Sequence, residues 1–96
     1  MSMRFASVHN FHEATVYQAV LDLASDYPTI EGCDELVADV ACVALNHLPP
    51  RYIRHAVDMS FYMSDQERLR TETAVQTAVR AAFEFVQSRT RKTHKA

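Results

Sequence analysis

Glycine is almost absent from this sequence. Gly32 is the only one in 96 residues, and three prolines, two cysteines and no tryptophan accompany it. A chain so poor in glycine is not a collagen-like or glycine-rich linker sequence, and it must make its turns with proline, asparagine, aspartate and serine. The two cysteines, Cys33 and Cys42, cannot build a disulfide framework and form no CxxC pair, so they read as reduced, partly buried thiols. No apolar run approaches the roughly 20 residues that cross a bilayer. The amino terminus lacks the basic, apolar and small-residue regions of a signal peptide. The expectation is a cytoplasmic protein with no membrane partner.

With 48% hydrophobic and 23% charged residues, the chain fits one globular domain. A domain this small buries a limited core, and pairing with a second copy is a common way to complete it. Net charge is −2, but its distribution is uneven. Four of the ten basic residues, Arg89, Arg91, Lys92 and Lys95, fall in the last eight positions, which hold no carboxylate. Residues 1–88 therefore carry six basic residues against twelve acidic ones. An acidic body argues against nucleic acid as a general partner, because a phosphate backbone is held by many lysines and arginines. Residues 89–96 read as a basic, solvated, disordered tail, with a DNA-associated tail as the rival.

Three principal helices emerge from periodicity, giving a mainly α fold. The first runs from about His9 to Asp26, with Asn10 and Glu13 spaced as a capping box and Ala14, Tyr17, Val20, Leu21 and Ala24 as its apolar stripe. Tyr27-Pro28 ends it. The second starts near Asp34 as its cap and turns Leu36, Val37, Val40, Ala41, Val43, Ala44 and Leu48 toward a core. It stops at or before Leu48, since the residue before a proline is driven out of helical conformation. Ser64 and Glu67 form a Ser-x-x-Glu capping box for the third, whose stripe of Leu69, Val75, Ala78, Val79, Ala82, Phe83 and Val86 runs to about Ser88.

Between the prolines and Ser64 the period changes. Ile53, Val57, Met59, Phe61 and Met63 alternate with Arg54, Ala56, Asp58, Ser60 and Tyr62, and only His55 interrupts the apolar side. Alternation favours a strand over about 53–63; the competing reading is a helix with Pro50 in its first turn. No second strand is evident in the sequence, so such a strand would leave backbone groups unpaired unless it met its equivalent in a two-fold homodimer.

The segment "ALNHLPPRYIRH", residues 44–55, concentrates the positive charge of the acidic body. His47, Arg51, Arg54 and His55 occur there without a carboxylate, which makes the window a place for an anion. Two prolines hold Leu48 to Arg51 extended and preorganised. On an extended continuation Tyr52 and Arg54 share a face, where a ring can stack on a nucleobase and a guanidinium can grip a phosphate. Asp58 and Tyr62 follow on that face, and a carboxylate there can accept hydrogen bonds from a guanine edge. The rival is a structural corner, with the arginines paired to surface carboxylates and Tyr52 packed on a helix end.

Other constellations carry less. His9 and His12 in "HNFHE" lack a third metal ligand, so no metal site is assigned. Phosphate loops, nucleophile elbows and catalytic triads are all missing, and the expectation is a protein that is not an enzyme and uses no cofactor.

The stretch "ADVACVALNHLPPRY" resembles the signature of the late competence development protein ComFB family: an aspartate-hydrophobic pair, a small apolar helix ending in "LN", a Leu-Pro-Pro segment and a tyrosine. Asp39, Val40, Leu45, Asn46, Leu48, Pro49, Pro50 and Tyr52 occupy those positions. "HNFHEATV" is similar to the family's opening, and the likeness spans roughly residues 9–88. Some members carry a cysteine cluster before the aspartate that suits zinc; here only Cys33 is in place, with Glu31 and Leu36 where others would be, so zinc is not carried over. The resemblance implies a mainly helical dimer and, from several members, a receptor for cyclic dinucleotides, cyclic di-GMP above all. The expected ligand set is Asn46, His47, Arg51, Tyr52, Arg54, His55 and Asp58, with Arg54, His55 and Asp58 chosen from the residue pattern alone. An unidentified downstream protein would read the liganded state. The alternative is an interaction adaptor without a small ligand, in which LNHLPPRY is only a corner.

Overall fold

Proline and serine stop and start the helices of this chain, and one asparagine ties its beginning to its middle. A computed structural model describes residues 3–55 and 57–93. A short 3-10 turn at Met3–Phe5 precedes strand β1 (His9–Asn10). Helix α1 (His12–Leu23) continues through a 3-10 turn (Ala24–Asp26) to the one-turn helix α2 (Pro28–Glu31) and then α3 (Asp34–Asn46). Strand β2 (Tyr52–Ile53), helix α4 (Val57–Tyr62) and the long α5 (Asp65–Thr93) complete the chain.

Local chemistry accounts for most of these boundaries. Pro28 not only ends the first helical run but sits in the first turn of α2, where its missing N–H is no loss. Cys33, not Asp34, holds the N-cap position of α3, and Asp34 and Glu35 lie in the first turn, where the helix dipole favours carboxylates. The end of α3 at Asn46 is closed by His47, whose backbone N–H donates to Ala44 and whose Nδ1 lies 2.8 Å from the Val43 carbonyl. Ser64 caps α5 as its spacing predicts, its Oγ accepting the Glu67 N–H at 3.1 Å. Nothing after Ser88 breaks a helix, so α5 continues to Thr93 and takes the first part of the basic segment with it; the Arg89 guanidinium lies 5.6 Å from the Phe85 ring centre. Residues 94–96 and Ala56 lie outside the described residues, as do the side chains of Arg91, Lys92 and Ser60.

Helices α1, α3 and α5 pack on one another around Val16, Val20, Ile30, Val40, Ala44, Val75, Val79 and Phe83. Each large side chain fully buried there contributes about 1.5–3 kcal/mol. The Tyr27 ring stacks on Phe83, with centroids 4.4 Å apart and planes at 5°. The stripe expected for α1 is corrected by one face: Val16, Ala19, Val20 and Ala24 are buried, whereas Ala14, Tyr17 and Leu21 are exposed. Leu69 is likewise exposed, because the first turns of α5 run ahead of the core.

The segment 53–63 is not one strand. Only Tyr52–Ile53 is extended, and α4 takes over at Val57, seven residues beyond Pro50. Met59 and Met63 are buried, a spacing of four that suits a helix face as well as it suits alternation. The ladder partner of β2 is found inside the chain: β1 and β2 run antiparallel, with His9 opposite Ile53 and Asn10 opposite Tyr52. The argument for a dimer from an unpaired strand therefore falls.

Asn10 fixes this pairing. Its Oδ1 accepts the His12 N–H at 3.2 Å and, 41 residues away in sequence, the Arg51 N–H at 3.1 Å, while the Phe11 N–H donates to the Arg51 carbonyl at 2.6 Å. The asparagine is buried. Replacing it, Asn10→Ala, leaves two backbone donors without an acceptor, and the expected loss is about 2–4 kcal/mol in urea denaturation. Gly32, by contrast, has φ −77° and ψ 0°, and an added Cβ would meet only the Pro28 carbonyl at an ordinary 3.8 Å. Gly32→Ala should raise stability by about 0.4–1 kcal/mol in the same measurement, through the unfolded chain.

Candidate functional site

The two prolines keep the chain extended after α3, and the Asn10 bonds press that extended piece against the start of α1. His12 is thereby placed in the first turn of α1, facing the corner, with α5 on the other side. Between them lies a cleft of about 360 Å³, lined by His12, Leu48, Pro49, Pro50, Arg51, Met63, Arg70, Thr71 and Ala74. Its polar lining consists of two arginines, a histidine and a threonine, with no carboxylate. Among the described residues neither the Arg51 nor the Arg70 guanidinium has an ion-pair partner; the ion pair nearby joins Arg68 to Asp65 at 4.0 Å. Two unpaired guanidinium groups against walls of proline, leucine and methionine can hold an anion, since charge acts more strongly where water is partly excluded.

His12 is 8% exposed, and its Nδ1 is buried with no hydrogen-bond partner among the described residues. Burial lowers its pKa below the ordinary histidine value; the Pro49 carbonyl acts in the opposite direction, and the Arg51 charge adds to the lowering. The Phe11 ring meets the imidazole edge to face at 5.7 Å and 61°. His9, spaced as its partner in a metal pair, is separated from it: it is exposed, with Nδ1 2.9 Å from the Ser7 carbonyl. No group of three or more histidine, cysteine, aspartate or glutamate side chains suited to a metal occurs among the described residues. Cys33 is half-buried and Cys42 exposed, both as thiols.

Of the seven residues expected to bind a ligand, Arg51 lines this cleft. Tyr52 and Arg54 stand exposed on either side of half-buried Ile53, so the alternation holds for these three residues. Asn46 and His47 are exposed at the end of α3, and the His47 ring is engaged with its own helix. His55 is exposed, and its carbonyl accepts the Asp58 N–H at 3.0 Å, which starts α4 and leaves Asp58 half-buried in the first turn. The structure thus adds three residues that the sequence did not single out for a ligand, His12, Arg70 and Thr71. His12 stood out only as half of a weak metal pair. Arg70 and Thr71 sit in a charged helical run with no local signal.

A family model described as late competence development protein ComFB matches residues 9–90. Comparison with curated proteins and with solved structures gave no match.

Because His12 binds its proton less readily in the folded chain than in the unfolded one, the stability associated with this ring is complete above about pH 6.5 and is lost as pH falls through the lower folded value. Unfolding free energies of the wild type should decline across that window, and His12→Asn should decline less steeply. Equal slopes would show that the ring is not held neutral by its surroundings.

Proposed function

The chain belongs to the ComFB family of late competence development proteins, and from that premise we propose that it is a non-catalytic receptor for a cyclic dinucleotide, cyclic di-GMP first, acting as a homodimer. The observation that carries this reading is the division of labour at Arg51. Its backbone N–H and carbonyl are fixed by Asn10 and Phe11, which leaves an exposed guanidinium without an ion-pair partner among the described residues. Beside it the Tyr52 ring is 68% exposed, and Arg54 projects beyond half-buried Ile53. A guanidinium for a phosphodiester and a ring for a guanine, both on a segment preorganised by two prolines, are the groups such a ligand needs.

Cyclic di-GMP has two phosphates, two guanines and a two-fold axis, so two copies of the corner match it better than one. The fold supports a second copy as well. On α1, Tyr17 and Leu21 are exposed apolar side chains. Between α1 and α3 the surface is largely apolar, with Tyr17, Leu21, Val37, Ala38 and Leu45 around a groove of about 500 Å³ that Asp34 also lines. Ligand occupancy would bias a surface that a downstream protein reads.

One set of observations favours the second reading, an interaction adaptor without a small ligand. Tyr52, Phe61 and Tyr62 are 68%, 81% and 72% exposed, and aromatic rings left in water in this way are common at protein contact sites.

Calorimetric titration with cyclic di-GMP, cyclic di-AMP and GTP separates the two. The receptor reading expects saturable binding of a cyclic dinucleotide by the wild type, an affinity at least about tenfold lower for the Arg51→Ala, Arg54→Ala double variant, and an unchanged thermal midpoint, because alanine keeps the backbone bonds to Asn10 and Phe11. A wild type that binds no cyclic dinucleotide rejects it and leaves the adaptor. Sedimentation in the same buffer should give the mass of two chains.

A further inference from the structure

The cleft beside His12 mixes core side chains with charged ones: Leu48 belongs to the core, whereas Arg51 and Arg70 are exposed. A core of this kind is filled by aliphatic and aromatic groups, yet here the wall between α1, the proline corner and α5 carries Arg51, Arg70, Thr71 and a buried imidazole. Like charges in one cleft repel, and a buried nitrogen without a partner loses its bond to water. An anion in the cleft relieves the repulsion. We propose that this cleft is a phosphoryl-binding subsite in which Arg70 and Arg51 grip the phosphoryl oxygens, Thr71 donates a hydroxyl hydrogen bond, and His12 takes up a proton as the anion enters.

The chemistry selects the class of ligand. Two guanidinium groups suit the several oxygens of a phosphoryl group, which they can engage by paired N–H···O bonds. The volume of about 360 Å³ lies at the lower end of the range for small-molecule sites, about 300–1,000 Å³, and exceeds what one phosphate needs, so part of an ester can enter with it. Carboxylates would spoil the site, and none lines it; Glu72 and Arg68 belong to a neighbouring cleft with Phe11 and Met63.

Proton linkage follows from the same geometry. The charged groups that line the cleft with His12 are Arg51 from the corner and Arg70 from α5, both positive, and Glu13 is its neighbour on α1 itself. Burial first, and then the Arg51 charge, disfavour the imidazolium, against the pull of the Pro49 carbonyl. An arriving anion reverses the sign of the local field and favours the imidazolium, so binding strengthens as pH falls toward the histidine range. The subsite deepens the receptor reading and rests on it only for the identity of the larger ligand; the phosphoryl group is either the phosphodiester of a cyclic dinucleotide or a free phosphate.

Nitrogen-detected NMR of the imidazole of His12, in the full chain with and without inorganic phosphate and, separately, cyclic di-GMP, tests the assignment. Phosphate should shift the His12 resonances saturably and raise the pH at which the ring titrates. Arg70→Gln should weaken that binding at least about tenfold, whereas Arg68→Gln, the same charge change two residues earlier on α5, should leave it unchanged. The subsite is overturned if phosphate leaves His12 unmoved in the wild type, or if the two arginine variants lose affinity equally. Cyclic di-GMP that binds as tightly to Arg70→Gln as to the wild type, without moving His12, overturns the subsite but keeps the receptor. Phosphate that moves His12 while no cyclic dinucleotide binds upholds the subsite for free phosphate and ends the receptor reading.

Discussion

The amide oxygen of Asn10 is the single acceptor that joins the two ends of this architecture. It takes one N–H from the first turn of α1 and one from Arg51, across 41 residues of sequence. Because a buried amide oxygen has two lone pairs and both are used, neither donor is left unsatisfied. The other tie is the Phe11 N–H on the Arg51 carbonyl, next to the two-residue ladder in which Asn10 faces Tyr52. From this one point follow the direction of α1, the burial of His12 and the place of Arg51 in the cleft. A strand of two residues is far too short to hold itself, so β2 exists where it does because Asn10 is there.

Short-range signals were legible and long-range ones were not. Two prolines dictate the end of α3 at Asn46 whatever the rest of the chain does, and the Ser64–Glu67 pair dictates the start of α5. The 53–63 segment misleads because its buried residues, Met59 and Met63, are separated by four, an interval that both a strand and a helix place on one face. With six residues, α4 has too few turns to display a period. The strand reading fails for a second reason: β1, the partner of β2, carries Asn10, which looks only like a helix cap in sequence and also accepts the Arg51 N–H from 41 residues away. For α1 the error is one of face. Tyr17 and Leu21 are as apolar as Val16 and Val20, and only the placement of α3 and α5 decides which pair meets the core.

The candidate site divides along the same line. Arg51 and Tyr52 are visible in sequence as an isolated positive, aromatic window within an acidic body, and the structure gives them the exposure that the window implies. Arg70 and Thr71 come from the second turn of the longest helix, where arginine and threonine are ordinary surface residues; only the fold brings them opposite the prolines. The imidazole of His12 is two residues from Asn10, and its burial is a consequence of the clamp rather than of any local pattern.

A corner that folds and a corner that binds are compatible here because they use different atoms. The fold takes the N–H and carbonyl of Arg51 and the rigidity of Pro49 and Pro50; the guanidinium and the Tyr52 ring are not needed for it. The imidazole bonds the Pro49 carbonyl, yet its Nδ1 is buried without a partner among the described residues, which costs about 1–3 kcal/mol. Arg70 and Arg51 put two positive charges on one cleft, which an uncharged pair would avoid. An arrangement that a negative charge makes more favourable is what separates a site from a packing contact, and here it lies where the proline corner, the Asn10 clamp and two arginines meet.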